Sequence, residues 1–337
     1  SGGRPWLLAA LLMMVTAVLS ALLDNVTTVL LISPITIEIA LQMGLDPLSL
    51  LIPEVLACNI GGAATLIGDP PNILIASYAG LTFNDFLGNM APGVAFTLLA
   101  LIPLVVWLHR KQYRLSAHKG SLALEQRLRE NARITQPEEL KRSLLVFLVT
   151  LAGFVLGSGL HLPPAVPALF GAALILAWVQ PDIITILGRV DWTTILFFVG
   201  LFIQVGALEE VGFLSQIAVV SSALIGSDLP LAVLFILGLT LVFSALVDNI
   251  PFTAAMLPVV SFIVAEMPGD GVLYWALAFG ACYGGNGTLI GASANLVVCG
   301  CAERAGCPLT YGRYLKVGLP AMVVSGLIAA LWLLVCF

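Results

Sequence analysis

The stretch Gly61-Gly-Ala-Ala-Thr-Leu-Ile-Gly68 recurs in this chain as Gly284-Gly-Asn-Gly-Thr-Leu-Ile-Gly291, with six of eight positions identical at an offset of 223. A second motif, Ser20-Ala-Leu-Leu-Asp-Asn25, recurs as Ser244-Ala-Leu-Val-Asp-Asn249 at an offset of 224. Motifs that repeat in the same order at nearly one offset are the sequence signature of an internal duplication. The chain therefore contains two copies of one structural unit.

The composition predicts that both copies lie in a membrane. Of 337 residues, 60% are hydrophobic and only 10% are charged, whereas a soluble domain carries about 25% charged residues. The mean hydropathy is +1.06. These values exclude a water-soluble enzyme, a disordered chain and a nucleic-acid-binding surface, and they predict an all-α polytopic membrane protein. The uncharged stretches that could form spans are 5–23, 86–108, 143–181, 192–208, 229–247, 249–265, 271–302 and 317–337.

The basic residues predict the domain organisation and the orientation. Nine of the 14 basic residues lie between Arg110 and Arg142, and the positive-inside rule places such a segment in the cytoplasm. We therefore predict a first repeat at 1–108, a cytoplasmic linker at 109–142 and a second repeat at 143–337. Counting spans from the linker puts the C-terminus on the opposite side of the membrane. A short surface helix is expected near Leu122–Arg133, within the linker.

Each copy contains two interrupted elements. The first is a re-entrant hairpin with an Asp-Asn tip, with legs near 5–23 and 29–37 in copy one and near 229–247 and 249–265 in copy two. The second is a broken transmembrane helix, in which glycine and proline interrupt the apolar run. Irregular backbone at that depth would free polar groups for an ion. The glycines expected at the breaks are Gly61, Gly62, Gly68, Gly284, Gly285, Gly287 and Gly291.

The two copies enter the membrane from opposite sides in this count. Inverted-topology repeats with interrupted helices are typical of secondary transporters. Copy two has three predicted spans before its hairpin, at 143–160, 163–181 and 192–208, whereas copy one begins with the hairpin leg itself. By the repeat offset, we expect about 80 residues and three helices upstream of this sequence.

Two longer motifs carry a resemblance to a known family. Leu23-Asp-Asn-Val-Thr-Thr28 and the segment from Asn59 to Asn72 resemble the ion transporter superfamily, which holds arsenite efflux pumps, sodium–proton antiporters and divalent-anion/sodium symporters. The segment from Phe279 to Asn295 is similar to the melanocyte P protein (pink-eyed dilution) branch. The resemblance implies a P protein-like or citrate transporter-like fold with inverted repeats, elevator-type alternating access and a homodimer. It implies no cofactor beyond a coupling Na⁺ or H⁺.

Three aspartates are the main candidate ion-binding residues: Asp24, Asp69 and Asp248. A carboxylate inside the bilayer is costly and marks an ion path or a proton relay by default. The alternative is that the Asp at each hairpin tip caps the second helix of that hairpin. In the divalent-anion symporters the tips read Ser-Asn-Thr, so the aspartates here disfavour a dicarboxylate and favour a cation or a proton. Glu54, in an apolar run, is a weaker candidate.

Neutral side chains supply the other candidate ligands. Their amide and hydroxyl oxygens suit Na⁺, while half-helix N-termini at the breaks would favour an anion. Asn25 and Asn249 are expected to surround one cavity together with Thr65 and Thr288. The full set of neutral candidates is Asn25, Thr27, Thr65, Asn72, Asn249, Thr253, Asn286, Thr288, Ser293 and Asn295.

The leading hypothesis is a secondary active transporter of a small inorganic ion or small anion, coupled to Na⁺ or H⁺. The alternatives are a chloride-like anion channel on the same scaffold, or an arsenite or dicarboxylate transporter. We expect the lipid bilayer and a second copy as partners, no nucleic acid, and no metal beyond Na⁺. The absence of a nucleophile–base pair in the sequence argues against an enzyme. A bacterial inner membrane or an organelle membrane is the expected location.

Overall fold

The computed structural model describes residues 4–115, 136–160, 162–190, 192–213, 216–217, 219–220, 228–266 and 271–337. The helix expected near Leu122–Arg133 lies outside the described residues. The described part of the chain forms sixteen α-helices and no strand, which confirms the all-α prediction. In chain order, α1 to α16 are Pro5–Leu22, Asn25–Gln42, Leu48–Gly62, Pro70–Ala79, Phe83–Asn89, Ala91–Leu108, Arg110–Leu115, Pro137–Gly159, Ala165–Trp178, Ile183–Arg189, Trp192–Glu210, Leu229–Leu246, Asn249–Glu266, Val272–Gly284, Ser293–Arg304 and Tyr311–Cys336.

Several of these helices are long and apolar enough to cross a bilayer. Among the described residues, six helices of 18 or more residues meet this condition, namely α1, α2, α6, α8, α12 and α16. Helix α8 begins at Pro137, within the predicted linker. The structure therefore supports an integral membrane protein with several spans.

The predicted hairpin legs form two helix pairs. The first helix pair is α1–α2, with its tip at residues 23–24, and the second is α12–α13, with its tip at 247–248. Helix α2 covers 25–42 rather than the predicted 29–37. It is longer at its start because Asp24 caps the helix directly before Asn25, and Pro34 is accommodated inside it.

The helices are interrupted at both places where the sequence predicts a break. Helix α3 ends at Gly62 and α4 begins at Pro70, so the first break is 63–69. Helix α14 ends at Gly284 and α15 begins at Ser293, so the second break is 285–292. The same helix contacts occur in both copies, because α1 packs along α3 and α12 packs along α14.

Close packing explains the glycines at the breaks. None of the seven predicted break glycines has a positive φ, so left-handed backbone is not the reason for them. A Cβ added at Gly61 would lie 2.5 Å from Ala17 Cα, and one at Gly284 would lie 2.7 Å from the carbonyl oxygen of Leu241. These two contacts are equivalent by the repeat offset. The glycines thus let each helix pair pack directly on the broken helix of its own copy.

The two copies also exchange contacts. Helix α2 of the first copy packs against α15 of the second, and α13 of the second copy packs against α4 of the first. Each second leg therefore lies between the broken helix of its own copy and that of the other copy. This arrangement brings the two tips and the two breaks into one region.

The two helix pairs open toward opposite ends of the molecule. Helix α16 has 26 residues, about 39 Å. Arg313 near its start pairs with Asp46, and Trp332 near its end donates to the carbonyl of Asn89 at 2.8 Å. The open end of the first pair packs with Tyr113, which follows the end of α6. The open end of the second pair leads into α14, where Trp275 packs edge-on against Phe86 of α5, close to Asn89. The second pair therefore opens toward the end of α16, and the first pair opens toward its start.

Candidate functional site

A cavity of about 630 Å³ lies where the two tips meet the two breaks. Among the described residues that line it, none is Lys, Arg or His. No group of three or more His, Cys, Asp or Glu in the described part of the chain could hold a metal ion. The predicted site residues that line the cavity are Asp24, Asn25, Thr27, Asp69, Asn249 and Ser293. These six polar side chains are acidic or neutral, and the other eight lining residues are apolar.

Asp69 lies in the first break, directly before α4. It is 2% exposed, and Asn249 Nδ2 from the other copy donates to its two carboxylate oxygens at 3.5 and 3.4 Å. Although Asp69 occupies the N-cap position of α4, its side chain makes no capping hydrogen bond. The equivalent residue in copy two is Ala292, which also lines the cavity. The buried carboxylate is therefore on one side of the cavity only.

Asp24 caps the second helix of its pair. It accepts hydrogen bonds from the backbone N–H groups of Val26 and Thr27, both at 3.0 Å, and from Thr27 Oγ1 at 2.6 Å. Such bonds stabilise the start of α2. A carboxylate has about four lone-pair sites, so capping leaves Asp24 able to contact an ion in the cavity.

Asp248 caps α13 in a similar way. Its carboxylate accepts from the N–H of Ile250 at 3.1 Å and from Ser293 Oγ at 3.0 Å. Asp248 is not among the residues that line the cavity. The capping alternative therefore accounts for the position of both tip aspartates, and Asp24 alone of the two faces the cavity.

The two tip asparagines differ in their partners. Asn25 is 4% exposed and Asn249 is 3% exposed. Ser20 Oγ donates to Asn25 Oδ1, whereas Asn249 donates to Asp69. Thr253 lies one turn into α13, where its hydroxyl donates to the carbonyl of Asn249 at 2.7 Å. Thr253 is buried but does not line the cavity.

Asn72 and Asn295 brace the two breaks in the same way. Each Nδ2 donates to the carbonyl seven residues earlier, at 2.8 Å to Thr65 and 3.0 Å to Thr288. Each also donates to the carbonyl ten residues earlier, at 3.2 Å for Asn72 and 2.7 Å for Asn295. These bonds satisfy carbonyls that the interrupted helix leaves without intrahelical partners. The two asparagines hold the shape of the breaks.

Thr65 and Thr288 bind the breaks to the helix pairs. The Thr65 hydroxyl donates to the carbonyl of Ala21, and the Thr288 hydroxyl donates to the carbonyl of Ala245 at 2.5 Å. We expected both threonines to surround the cavity with Asn25 and Asn249. Neither is among its lining residues, because each hydroxyl points to a carbonyl at the C-terminal end of α1 or α12.

Asn59 is a buried polar residue that the sequence analysis did not select. Its Nδ2 donates to Asn286 Oδ1 at 2.9 Å and to Asn295 Oδ1 at 3.0 Å, which links α3 to the second break. Asn286 donates to the carbonyl of Leu56 at 3.3 Å. The position equivalent to Asn59 in copy two is Cys282, so a comparison of the repeats does not select it. Asn59 is the first residue of the motif that ends at Asn72, and this position is the sequence signal that points to it.

Removing the bracing amides should destabilise the fold. We expect Asn72→Ala and Asn295→Ala each to lower the free energy of unfolding by about 1–3 kcal/mol, since each leaves buried carbonyls without a donor. Thermal unfolding of the purified protein in detergent would measure this. Asn84→Ala is the control, because its amide donates to a carbonyl at an exposed position and its loss should have a much smaller effect. Equal melting temperatures for all four proteins would contradict the bracing role.

Comparison with known proteins identifies the family of the chain. The family model described as "Citrate transporter" matches residues 1–280. An uncharacterised transporter of Mycobacterium tuberculosis is 42% identical over 336 residues, which cover 99% of this chain and 78% of that protein. The 46 kDa membrane protein of Mycobacterium leprae is 39% identical over the same shares of the two chains.

The P protein of Homo sapiens is 36% identical over 415 residues, covering 99% of this chain and 49% of that protein. The resemblance to the ion transporter superfamily and to the P protein is thereby confirmed. The chain belongs to the citrate transporter family of membrane transporters.

Proposed function

We propose that this protein is a secondary active transporter that moves a small ion and couples it to Na⁺ or H⁺. The observation that carries the proposal is the buried Asp69 carboxylate, held by Asn249 of the other copy at a cavity between the two copies. A buried ionisable group at the meeting point of two repeats is the expected position of an ion site in such transporters.

We propose further that the copies at 1–108 and 143–337 are inverted repeats, that each helix pair is a re-entrant hairpin, and that transport follows an elevator-type alternating-access mechanism. The opposite openings of the two helix pairs support this proposal. The exchanged contacts, α2 with α15 and α13 with α4, support it too. The cytoplasmic position of the linker at 109–142 and a homodimer belong to the same proposal.

The charge of the cavity bears on the order of binding. An anionic substrate would meet Asp24 and Asp69, while the described lining contains no cationic side chain. Like charges that share one cavity repel strongly in a medium of low dielectric constant. We therefore propose that a coupling cation or proton occupies the carboxylates before or together with an anion. The neutral ligands Asn25, Thr27 and Ser293 line the same cavity and would complete the site.

Flux measurements in proteoliposomes would test the proposal. The probes are citrate, arsenite, chloride and Na⁺, each measured under a Na⁺ gradient, a pH gradient and no gradient. We expect one probe to show saturable flux that a Na⁺ or pH gradient drives uphill. A linear, non-saturating conductance would instead establish the channel alternative. The absence of flux for every probe would overturn the transporter proposal in this form.

A further inference from the structure

Outside the cavity, one more carboxyl group is fully buried in the first copy. Glu54 lies on α3 and is 0% exposed. Ser33 Oγ from α2 donates to Glu54 Oε1 at 2.9 Å, and Thr36 Oγ1 donates to Oε2. Neither ion pair found in the described part of the chain includes Glu54. An ionised carboxylate without a cation is very costly in such surroundings.

The second copy lacks this cluster. By the repeat offsets, the equivalents of Ser33, Thr36 and Glu54 are Leu257, Val260 and Leu277. All three apolar residues are buried. The equivalent helix contact, α13 with α14, therefore has apolar side chains at all three positions. Packing does not require a polar cluster at this position, so the cluster in copy one needs another explanation.

Hydroxyl partners can serve both protonation states of Glu54. A hydroxyl group is a donor and an acceptor. When Glu54 is ionised, the Ser33 and Thr36 hydroxyls donate to it, as the structure shows. When it carries a proton, its O–H can donate to one of them, and that hydroxyl can turn to a carbonyl of its own helix. The site can thus gain and lose a proton without leaving a polar group unpaired.

Glu54 lies between one end of the molecule and the cavity. It is six residues after the start of α3, about 9 Å, on the side of the Asp46–Arg313 pair. Cys58 lies one turn further, about 6 Å along the helix, and its Sγ is 3.4 Å from the carbonyl oxygen of Asn25. Asn25 itself lines the cavity.

The buried face of α2 carries polar side chains among apolar ones. Thr28 lies between Asn25 and Ser33 on this face, and its buried hydroxyl has no hydrogen-bond partner among the described residues. The equivalent residue in copy two is Phe252. Three positions on this face of copy one are thus polar where copy two has apolar residues, with buried apolar side chains between them.

Among the described residues, the hydrogen-bond partners of Glu54 are the hydroxyl groups of Ser33 and Thr36, and no ionisable group pairs with it. Helices α1 and α6 carry none, and on its own helix Cys58 is one turn away. The other helices packed against α3 do carry ionisable groups, and none of these forms a described hydrogen bond or ion pair with Glu54. They are Glu38 on α2, Tyr274, Cys282 and Tyr283 on α14, Cys299, Cys301, Glu303 and Arg304 on α15, and Tyr311, Arg313, Tyr314, Lys316 and Cys336 on α16.

We propose that Glu54, with Ser33 and Thr36, is a proton-binding site separate from the cavity, which takes up and releases the coupling proton of transport. The role in coupling rests on the transporter function proposed above, whereas proton binding at Glu54 does not. A proton from solution binds the carboxylate to give the carboxylic acid. The carboxylic acid ionises again when it releases this proton to water.

Infrared spectroscopy of the purified protein tests proton binding without any substrate. Spectra are recorded from about pH 5 to about pH 9 for the wild type, Glu54→Gln and Glu38→Gln. We expect an acid carbonyl band that disappears as the pH rises in the wild type and in Glu38→Gln. In Glu54→Gln this band should be missing, and only the absorption of the other carboxyl groups, Asp69 among them, should remain. Identical spectra for the wild type and Glu54→Gln, or a band that does not change with pH, would overturn the proposal.

The copy-two residues provide a second variant, Ser33→Leu with Thr36→Val and Glu54→Leu. This triple variant should also lack the band. In proteoliposomes, the flux driven by a pH gradient should be at least tenfold lower in the triple variant and in Glu54→Gln than in the wild type. If the triple variant fails to fold, Glu54→Gln and Glu38→Gln decide the result. Wild-type pH-driven flux in Glu54→Gln would refute the coupling role while leaving the transporter function intact. If no probe shows flux in the wild type, the proposed transporter function is refuted. The infrared spectra then still test proton binding at Glu54 independently.

Discussion

Asp69→Asn should abolish ion-coupled transport while the protein still folds. The substitution keeps the size of the side chain and its ability to contact Asn249, but it removes the buried charge at the cavity. A hydrogen bond or ion contact to a charged group is worth about 1.5–3 kcal/mol, and about 1.4 kcal/mol corresponds to a factor of ten. We therefore expect at least a tenfold loss of gradient-driven flux, measured in proteoliposomes with the probe that the wild type carries.

The tip aspartates provide matched comparisons. Asp24→Asn should reduce flux less than Asp69→Asn, because Asp24 also faces the cavity but shares its oxygens with the cap of α2. Asp248→Asn should reduce it least, since Asp248 does not line the cavity. Asparagine is itself a good capping residue, so all three variants should fold. Wild-type flux in Asp69→Asn together with a loss in Asp248→Asn would show that the tips, not the first break, hold the coupling ion.

Gly61→Val should prevent the protein from folding. Added side-chain atoms at this position would meet the main chain of Ala17 on α1, with Cα at 2.5 Å and the carbonyl carbon at 2.7 Å from the new Cβ. Backbone cannot turn aside as a side chain can, so α1 and α3 would have to separate. We expect a cost above the usual overpacking range of about 1–3 kcal/mol, seen as aggregation in size-exclusion chromatography or as a large drop in melting temperature.

The control is Gly88→Ala in α5. No described atom lies within 4 Å of a Cβ added there, so its melting temperature should match the wild type. Gly284→Val is the test of equivalence, because its Cβ would approach the main chain of α12 in the same manner. A folded, wild-type-like Gly61→Val protein would mean that α1 and α3 are further apart than the structure shows.

Much of the fold follows from the repeated motifs. The second helix pair lies within one or two residues of its predicted legs, and both helix breaks coincide with the predicted glycine clusters. These features were predictable because glycine, proline and an Asp-Asn cap act locally on the backbone. The full length of α2 was not predictable in this way, since Pro34 suggests an end to the helix that packing between α3 and α15 overrides.

The site was predictable only in part. Six of the predicted residues line the cavity, while Asn72, Asn295, Thr65 and Thr288 instead support the breaks behind it. The sequence shows which residues recur but not which direction a side chain takes at an irregular turn. For the same reason Glu54 appeared weak, because its partners Ser33 and Thr36 lie on another helix. Only the packing of α2 on α3 brings the three together.

The exchange of contacts between the copies has a consequence for how the protein is made. Helix α2 packs against α15, and roughly 270 residues separate their starts, which at about 5–20 residues per second means tens of seconds of synthesis. During that time Asp69 lacks Asn249, the partner that the second copy supplies. Nascent chains that stall before α15 should therefore be substrates for membrane proteases and insertion chaperones, whereas chains that have passed α15 should become resistant to them in a single step.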